Sequence, residues 1–353
     1  MLEFSEHLIE EVLKEVPHRQ WVFSIPKRIR IFFMYDRKLL AKLSKCAWNV
    51  LSKYLKQTVN DTTAIPAAAI AVQTFGDFLN FNSHLHIIAA DGCFDKDGNF
   101  ITGLLPNAAD LEEAFRYEIL EMLKKEGKLF DITIENMKSW NHSGFNIYCG
   151  HPIYPDEREG IVNLAGYIIR TPISQERMYY VPADESDDGA ARVIYKSKGS
   201  NLKKSFLAVD FLAKLVIHIP NKGEQLVRYY GYYSNKSRGL RKKADSDGKI
   251  PDIVDNDISK KQFRKSWARL IQKVYNVDPL CCPKCSGKMR IIAFIEDKVL
   301  IKKILKHLNL WLPCNNSPPK KAVTYARDEW CQEHESQIEY EDDYSQINLY
   351  DEF

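Results

Sequence analysis

The sequence predicts an α+β fold, an antiparallel sheet backed by helices, followed by a basic C-terminal extension with a candidate zinc knuckle. Three observations carry this. The first half reads β-α-β-β-α. Its strands alternate with period two while its helices repeat apolar residues every three to four positions. Hydrophobic residues make up 45% of 353, enough for a substantial core. In chain order, residues 4–15 read as a short amphipathic helix with Ser5 as its N-cap. Residues 20–25 read as a strand ended by Pro26. Residues 36–57 have helical spacing in Leu39, Leu40, Leu43, Ala47, Val50, Leu51 and Tyr54. Two strands follow at 68–75 and 82–90, joined at Gly76-Asp77, and Asp91-Gly92 and Asp97-Gly98 read as turns. A charged helix over 109–125 gathers Leu111, Phe115, Ile119 and Leu123 on one face. Beyond it, strands are expected at 145–149, 178–181 and 192–196, and helices at 157–170, 209–218 and 258–274. A strand at 290–295, a helix at 298–308 and a Pro-rich breaker at 315–321 complete the reading.

Composition narrows the function class. The longest apolar run, Ala64 to Val72, is too short to cross a bilayer, and the acidic amphipathic start is no signal peptide, so a cytoplasmic protein with no membrane partner is expected. Eight cysteines, three of them in the run CCPKC, suit metal binding or burial rather than a disulfide framework. The net charge of +3 conceals an asymmetry. From Asp328 onward there are ten acidic residues and no Lys or Arg; residues 1–327 hold 50 basic against 37 acidic residues, a net of +13. A body so basic suits a polyanionic partner, although a solvated surface with an acidic tail fits the same numbers.

The first chemical signal is the segment Asn82-Ser83-His84-Leu85-His86. Alternate strand residues share a face, so His84 and His86 point together while Leu85 and Ile87 enter the core. Two imidazoles so placed can hold one divalent ion, which polarises a phosphoryl oxygen. A third ligand is then needed, and Gln73 on the preceding strand is the first candidate, with Asp91 behind it. On these residues alone, two histidines that merely pack and hydrogen-bond remain an alternative. The second signal is the helix around Tyr167. Ile161, Leu164, Ala165 and Ile168 form its apolar stripe, and Tyr167, Asn163 and Arg170 fall opposite. A tyrosine oxygen can attack phosphorus and become covalently linked to it. Its ordinary pKa near 10 calls for a neighbouring cation such as Arg170. A solvent-facing tyrosine on a helix edge is the alternative.

Together these residues resemble the HUH single-strand endonucleases, and more closely the rolling-circle transposases of the insertion-sequence ninety-one family. The matching stretches are 17–26, 73–76, 80–92, 142–145, 164–177 and 227–231, in the family's order, spanning about residues 16–310. The resemblance implies that His84 and His86 hold Mg²⁺ or Mn²⁺. It implies that Tyr167 cleaves single-stranded DNA at transposon ends and target, leaving a 5′-phosphotyrosine and a free 3′-OH. Some relatives carry two tyrosines four residues apart; Asn163 stands at the earlier position here, so a single-tyrosine type is expected. Relatives also usually begin with a cysteine-rich zinc-binding domain, before the point where this chain begins.

Residues 228–238 interleave aromatics with cations, which suits bases stacking on rings and phosphates meeting Lys or Arg. Arg228, Tyr229, Tyr230, Lys236, Arg238, Arg241, Lys242 and Lys243 are the candidate DNA contacts, against a buried aromatic strand followed by a basic loop. Tyr229 and Tyr230 rank below Tyr167 as nucleophiles. Cys282 and Cys285 form half of a zinc site, which needs four ligands; Cys281 is adjacent, while His307, Cys314 and Cys331 are distant in sequence. His142 and His151 flank a strand near the tyrosine helix and are minor candidates. The domain reading is an N-terminal helix at 1–15, a nuclease core at 16–200, a basic extension at 201–310 and an acidic, disordered tail at 311–353. A replication-initiator nickase with the same chemistry, or an inactive DNA-binding remnant of a transposon, are the competing functions. A bacterial, nucleoid-associated location follows from the reading as a transposase.

Overall fold

The computed structural model describes residues 2–268, apart from positions 60, 105, 141, 169, 187, 198–201, 257–258, 260–261 and 265, together with residues 298–307. The fold is α+β. Its main sheet contains β1 (His18–Ser24), β2 (Ile65–Phe75), β3 (Phe81–Phe94), β4 (Phe100–Thr102), β5 (Asn146–Ile153), β9 (Val227–Gly231) and β10 (Ile253–Val254). Strand β3 is central, paired antiparallel with β2 on one side and β1 on the other. β1 stops opposite Ala90, and β4 takes over that edge at Gly92–Phe94. β5 lies outside β1 and β9 outside β2, both antiparallel; β10 runs parallel to β4.

The two faces of this sheet are built differently. Leu85, Ile87 and Ala89 of β3, Ala68, Ile70 and Val72 of β2, and Trp21 and Phe23 of β1 point to one side. That side is sealed by α2 (Lys27–Tyr35), α3 (Lys38–Thr58), α4 (Ala108–Lys125) and α5 (Asp131–Lys138). The stripe Leu111, Phe115, Ile119 and Leu123 of α4 is wholly buried, and Asn107 caps the helix by accepting from the Ala109 N–H. The opposite face carries Ala67, Ala69 and Ala71 of β2 and Ile88 and Ala90 of β3. It is covered by α6 (Arg158–Ile168) and by the N-terminal segment, α1 (Leu2–His7) followed by a π-helical turn (Leu8–Val12). A second sheet of β6 (Met178–Val181), β7 (Arg192–Lys196) and β8 (Lys203–Leu207) backs onto α7 (Ala208–Val216), and the basic helix α8 (Asn235–Lys243) follows β9.

Most expected elements are present, with three corrections. Ser5 lies inside α1 rather than capping it, and the expected single helix over 4–15 changes to π geometry at Leu8. The helical spacing from 36 conceals a separate helix before it, α2, whose N-terminus is set by Pro26. Asp91-Gly92 is not a turn: β3 runs straight through it to Phe94. Gly92 serves close approach instead, since a Cβ there would lie 2.1 Å from the Ile101 carbonyl oxygen of β4. The other turn, Asp97-Gly98, is real, with Gly98 at φ 84° and the Asp95 carboxylate accepting from the Asp97 and Asn99 N–H groups. Helical residues at 262–264 and 266–268 bring Phe263 and Trp267 against Tyr54, and Lys298–His307 is helical. The expected strand at 290–295, the breaker at 315–321 and the acidic tail lie outside the described residues, and β9 of the expected extension completes the main sheet.

Candidate active site

Strand parity places His84 and His86 on the same sheet face, both nearly fully buried. Their Nε2 atoms converge to 3.0 Å, with the rings edge to face. The Nδ1 of His84 donates to the Asn82 carbonyl oxygen at 2.8 Å. This assigns the proton to Nδ1 and leaves the Nε2 lone pair toward His86. Burial holds the His86 pKa well below the ordinary imidazole range, and the charges of His84 and Arg170 lower it further. His86 therefore favours the neutral form, the form that ligates a metal. Two nitrogens bound at right angles to one ion, each about 2.1 Å away, stand about 3.0 Å apart, so the pair fits as adjacent ligands.

Among the described residues no group of three or more His, Cys, Asp or Glu side chains is placed to hold a metal ion. Gln73 of β2 lies directly across from His84, and opposed residues in an antiparallel pair share a face. Its Nε2 donates to the Ile168 carbonyl oxygen at 3.1 Å, tying β2 to the end of α6. Asp91 is elsewhere: its parity puts it on the opposite face, where it accepts from the Arg19 guanidinium at 2.6 Å. Burial pushes its carboxyl pKa up against the pull of Arg19.

Helix α6 packs on the histidine face through Leu164, Ala165 and Ile168, with Ile161 half-buried beside them, as its stripe predicts. Asn163 is exposed. The backbone of Tyr167 lies in the last turn of α6, one residue before the carbonyl that Gln73 grips; its side chain lies outside the described set. Arg170 follows that helix closely enough for its charge to act on His86. The structure thus brings four of the sequence-derived residues, His84, His86, Gln73 and Arg170, to one end of one sheet face, beside the backbone of the fifth. His142 and His151 are exposed, and the Nδ1 of His142 accepts from Gly144 N–H in a local turn.

The cationic-aromatic segment divides. Tyr230 faces the helix-packed side, its ring stacked on Trp48 at 5.2 Å and its hydroxyl 3.0 Å from that of Ser44. Tyr229 faces the histidine side, half-buried, with the Arg238 guanidinium 5.3 Å from its ring. Arg238 also donates to the Glu11 carbonyl and the Asn235 side chain. Arg241 lies 3.7 Å over the Tyr232 ring and binds Asp247, the Tyr232 carbonyl and Ser237. Lys242 pairs with Glu11 at the surface. Arg238 and Lys242 thus fasten the N-terminal segment through Glu11, a role the sequence hides because that partner lies more than 200 positions away. Lys236 and Lys243 are exposed, and Arg228 is half-buried on β9. Sequence reasoning also missed His18, whose Nε2 meets the Tyr233 hydroxyl at 2.7 Å beneath the N-terminal segment. Cys281, Cys282, Cys285, Cys314 and Cys331 lie outside the described residues, and no helix among those described is long and apolar enough to cross a membrane.

Comparison with known proteins bears on this arrangement. Residues 68–240, from β2 through the tyrosine helix to α8, match a family described as "Putative transposase". The chain is similar to the transposase for insertion sequence element IS801 of Pseudomonas savastanoi pv. phaseolicola, 23% identical over 312 residues, covering 80% of this chain and 69% of that protein. It is also similar to a protein of Sinorhizobium fredii named "Putative transposase y4qJ", 23% identical over 318 residues, covering 81% of this chain and 75% of that one. No solved structure matches. Both relatives, like the matched family, carry the name transposase.

Proposed function

We propose that this chain is a rolling-circle transposase that cleaves and rejoins single-stranded DNA through a 5′-phosphotyrosine on Tyr167. The observation that carries the reading is the 3.0 Å convergence of the His84 and His86 Nε2 atoms on the sheet face that the Tyr167 helix covers. His84, His86 and the Gln73 amide oxygen would hold Mg²⁺ or Mn²⁺. Such an ion would polarise the scissile phosphoryl oxygen. The phenolic oxygen of Tyr167 forms a bond to phosphorus as the bond to O3′ breaks, and O3′ leaves as a hydroxyl. Arg170 supplies positive charge to the phenolate and then to the phosphate. The energy of the broken phosphodiester stays in the tyrosine link, so attack by another 3′-OH rejoins DNA without ATP. The exposed Lys236 and Lys243, with Arg228, are the DNA contacts of the basic segment, and Arg238, Arg241 and Lys242 position it. Cys282 and Cys285 contribute to a zinc site, which metal analysis of the purified chain tests. The site of action is bacterial DNA in the cytoplasm.

The test is a labelled single-stranded oligonucleotide carrying a transposon end, incubated with Mn²⁺. The wild-type chain is expected to form an SDS-resistant adduct, and Tyr167→Phe to bind the same DNA without forming one. An adduct that persists in Tyr167→Phe removes this tyrosine from the chemistry. DNA binding with no adduct in the wild type favours the inactive remnant.

A further inference from the structure

Between the tyrosine helix and β9 the chain builds a second sheet that the reaction above does not use. Its inner face, Val193 and Tyr195 of β7 and Phe206 of β8, packs on Phe211 of α7. Its outer face is set by register. Tyr179, Ile194 and Ser205 lie side by side across the three strands, and Lys196 and Lys203 form the next row. Tyr179 is 48% exposed, and the Lys196 ammonium stands 5.1 Å from its ring centroid. Lys203 is exposed. The row beyond, Val181, Arg192 and Leu207, adds a third cation, although Arg192 pairs with Asp188. No carboxylate stands in these three rows; the acidic residues Asp184, Glu185 and Asp188 are gathered in the turn between β6 and β7, at the far end from Lys196 and Lys203.

The cationic end is fastened beside the histidine site. Ser197, directly after β7, bonds the Asp77 carboxylate in the connection between β2 and β3. His218, after α7, meets the Thr74 hydroxyl at 3.1 Å and the Leu79 carbonyl at 3.0 Å. Thr74 is the neighbour of Gln73. An aromatic ring flanked by lysines, in strand rows that carry no carboxylate and anchored next to the cleavage residues, has the chemistry of a single-strand platform: bases stack on the ring and phosphates meet the ammonium groups.

We propose that the outer face of the β6–β7–β8 sheet binds the single-stranded DNA flanking the cleavage site, with a base stacked on Tyr179 and phosphates on Lys196 and Lys203. The inference rests on the reading of single-stranded DNA as substrate. The test is fluorescence anisotropy of the full chain with a labelled oligothymidylate of about 16 nucleotides, titrated at several salt concentrations. Tyr179→Ala is expected to weaken binding about tenfold, and Tyr179→Phe to preserve it. The double variant K196Q/K203Q is expected to flatten the log–log salt slope by about 1.4, the share of two single-strand phosphate contacts. All are surface changes, and an unchanged thermal melt verifies that each variant folds. Wild-type binding that Tyr179→Ala and K196Q/K203Q leave intact in affinity and slope overturns the inference alone. Equal weakening toward a blunt duplex overturns the stacking role. A wild-type chain that binds no oligothymidylate overturns the substrate reading itself.

Discussion

His18 makes folding sensitive to acid in a way that can be worked out in advance. Its side chain is wholly buried between β1 and the N-terminal segment, with Nε2 2.7 Å from the Tyr233 hydroxyl and the two rings stacked at 5.9 Å. Burial lowers its pKa from 6.5 to about 4. The unfolded chain therefore takes up a proton at this residue near pH 6.5, while the folded chain resists until about pH 4. Stability from this source is fully present above pH 6.5 and is lost progressively as the pH falls to about 4. The gap corresponds to about 3 kcal/mol in all, of which about 2 kcal/mol is lost between about pH 7 and about pH 5. Urea denaturation of the wild type and of His18→Gln at those two pH values measures it. The variant is expected to be weaker at pH 7, by about 1–3 kcal/mol for the disturbed Tyr233 contact. Its further loss on going to pH 5 should be smaller than the wild-type loss by about 2 kcal/mol. His86 and His218 are also depressed by burial and remain in the variant, so a residual slope is expected. Equal losses in both proteins would refute the assignment of this acid sensitivity to His18.

Three further predictions concern the sheet, its clamp and its candidate ligands. Gly231→Ala places a Cβ 1.8 Å from the Pro66 carbonyl at a residue with φ 60°, and should cost about 3 kcal/mol or more in chemical denaturation. Arg241→Ala removes the contacts to Asp247 and the Tyr232 carbonyl and should cost about 1–3 kcal/mol, whereas Lys243→Ala should leave stability unchanged and weaken DNA binding at low salt; equal stability loss in both would show that the inward-outward division is wrong. His84→Ala should abolish Mn²⁺ binding by calorimetry, while Asp91→Asn should retain it and lose about 2 kcal/mol of stability through the unpaired Arg19; loss of Mn²⁺ in Asp91→Asn would restore Asp91 as a ligand.

The parts of the fold written in local periodicity were legible in the sequence. The α4 stripe and the strands at 178–181 and 192–196 are local patterns, and they appear as read. The turn signals were less dependable, because glycine answers two needs. At Gly98 it supplies a positive φ; at Gly92 it removes a Cβ from the path of β4, and only the fold distinguishes them. The histidine pair could be placed on one face from parity alone, but the opposition of Gln73 to His84 depends on a register that no single strand encodes. The basic segment misled most. Charge composition cannot separate a guanidinium facing solvent from one lying over Tyr232, because the partners of Arg238, Lys242 and Lys14 are contributed from opposite ends of the described chain.

The asymmetry between the two sheet faces explains why a site can form on one and not on the other. Behind the histidines the face under α3 and α4 is filled by Trp21, Phe23, Leu85 and Ile87, closely packed, and its buried ion pair, Arg19–Asp91, lies toward the other end of β3. On the histidine face β2 offers Ala67, Ala69 and Ala71 before Gln73, and Ala71 lies directly across from His86. Small side chains there let α6 approach closely enough for the Gln73 amide to reach a main-chain carbonyl at the helix end. That carbonyl belongs to the last turn of α6, where a helix leaves its final carbonyl groups without partners of its own. The hydrogen bond therefore satisfies an orphan acceptor and at the same time fixes the end of α6, with the Tyr167 backbone, against the strand opposite His84. Position is supplied by the sheet and reactivity by residues at its small-residue end, so the alanines of β2 belong to the candidate site as much as the imidazoles do.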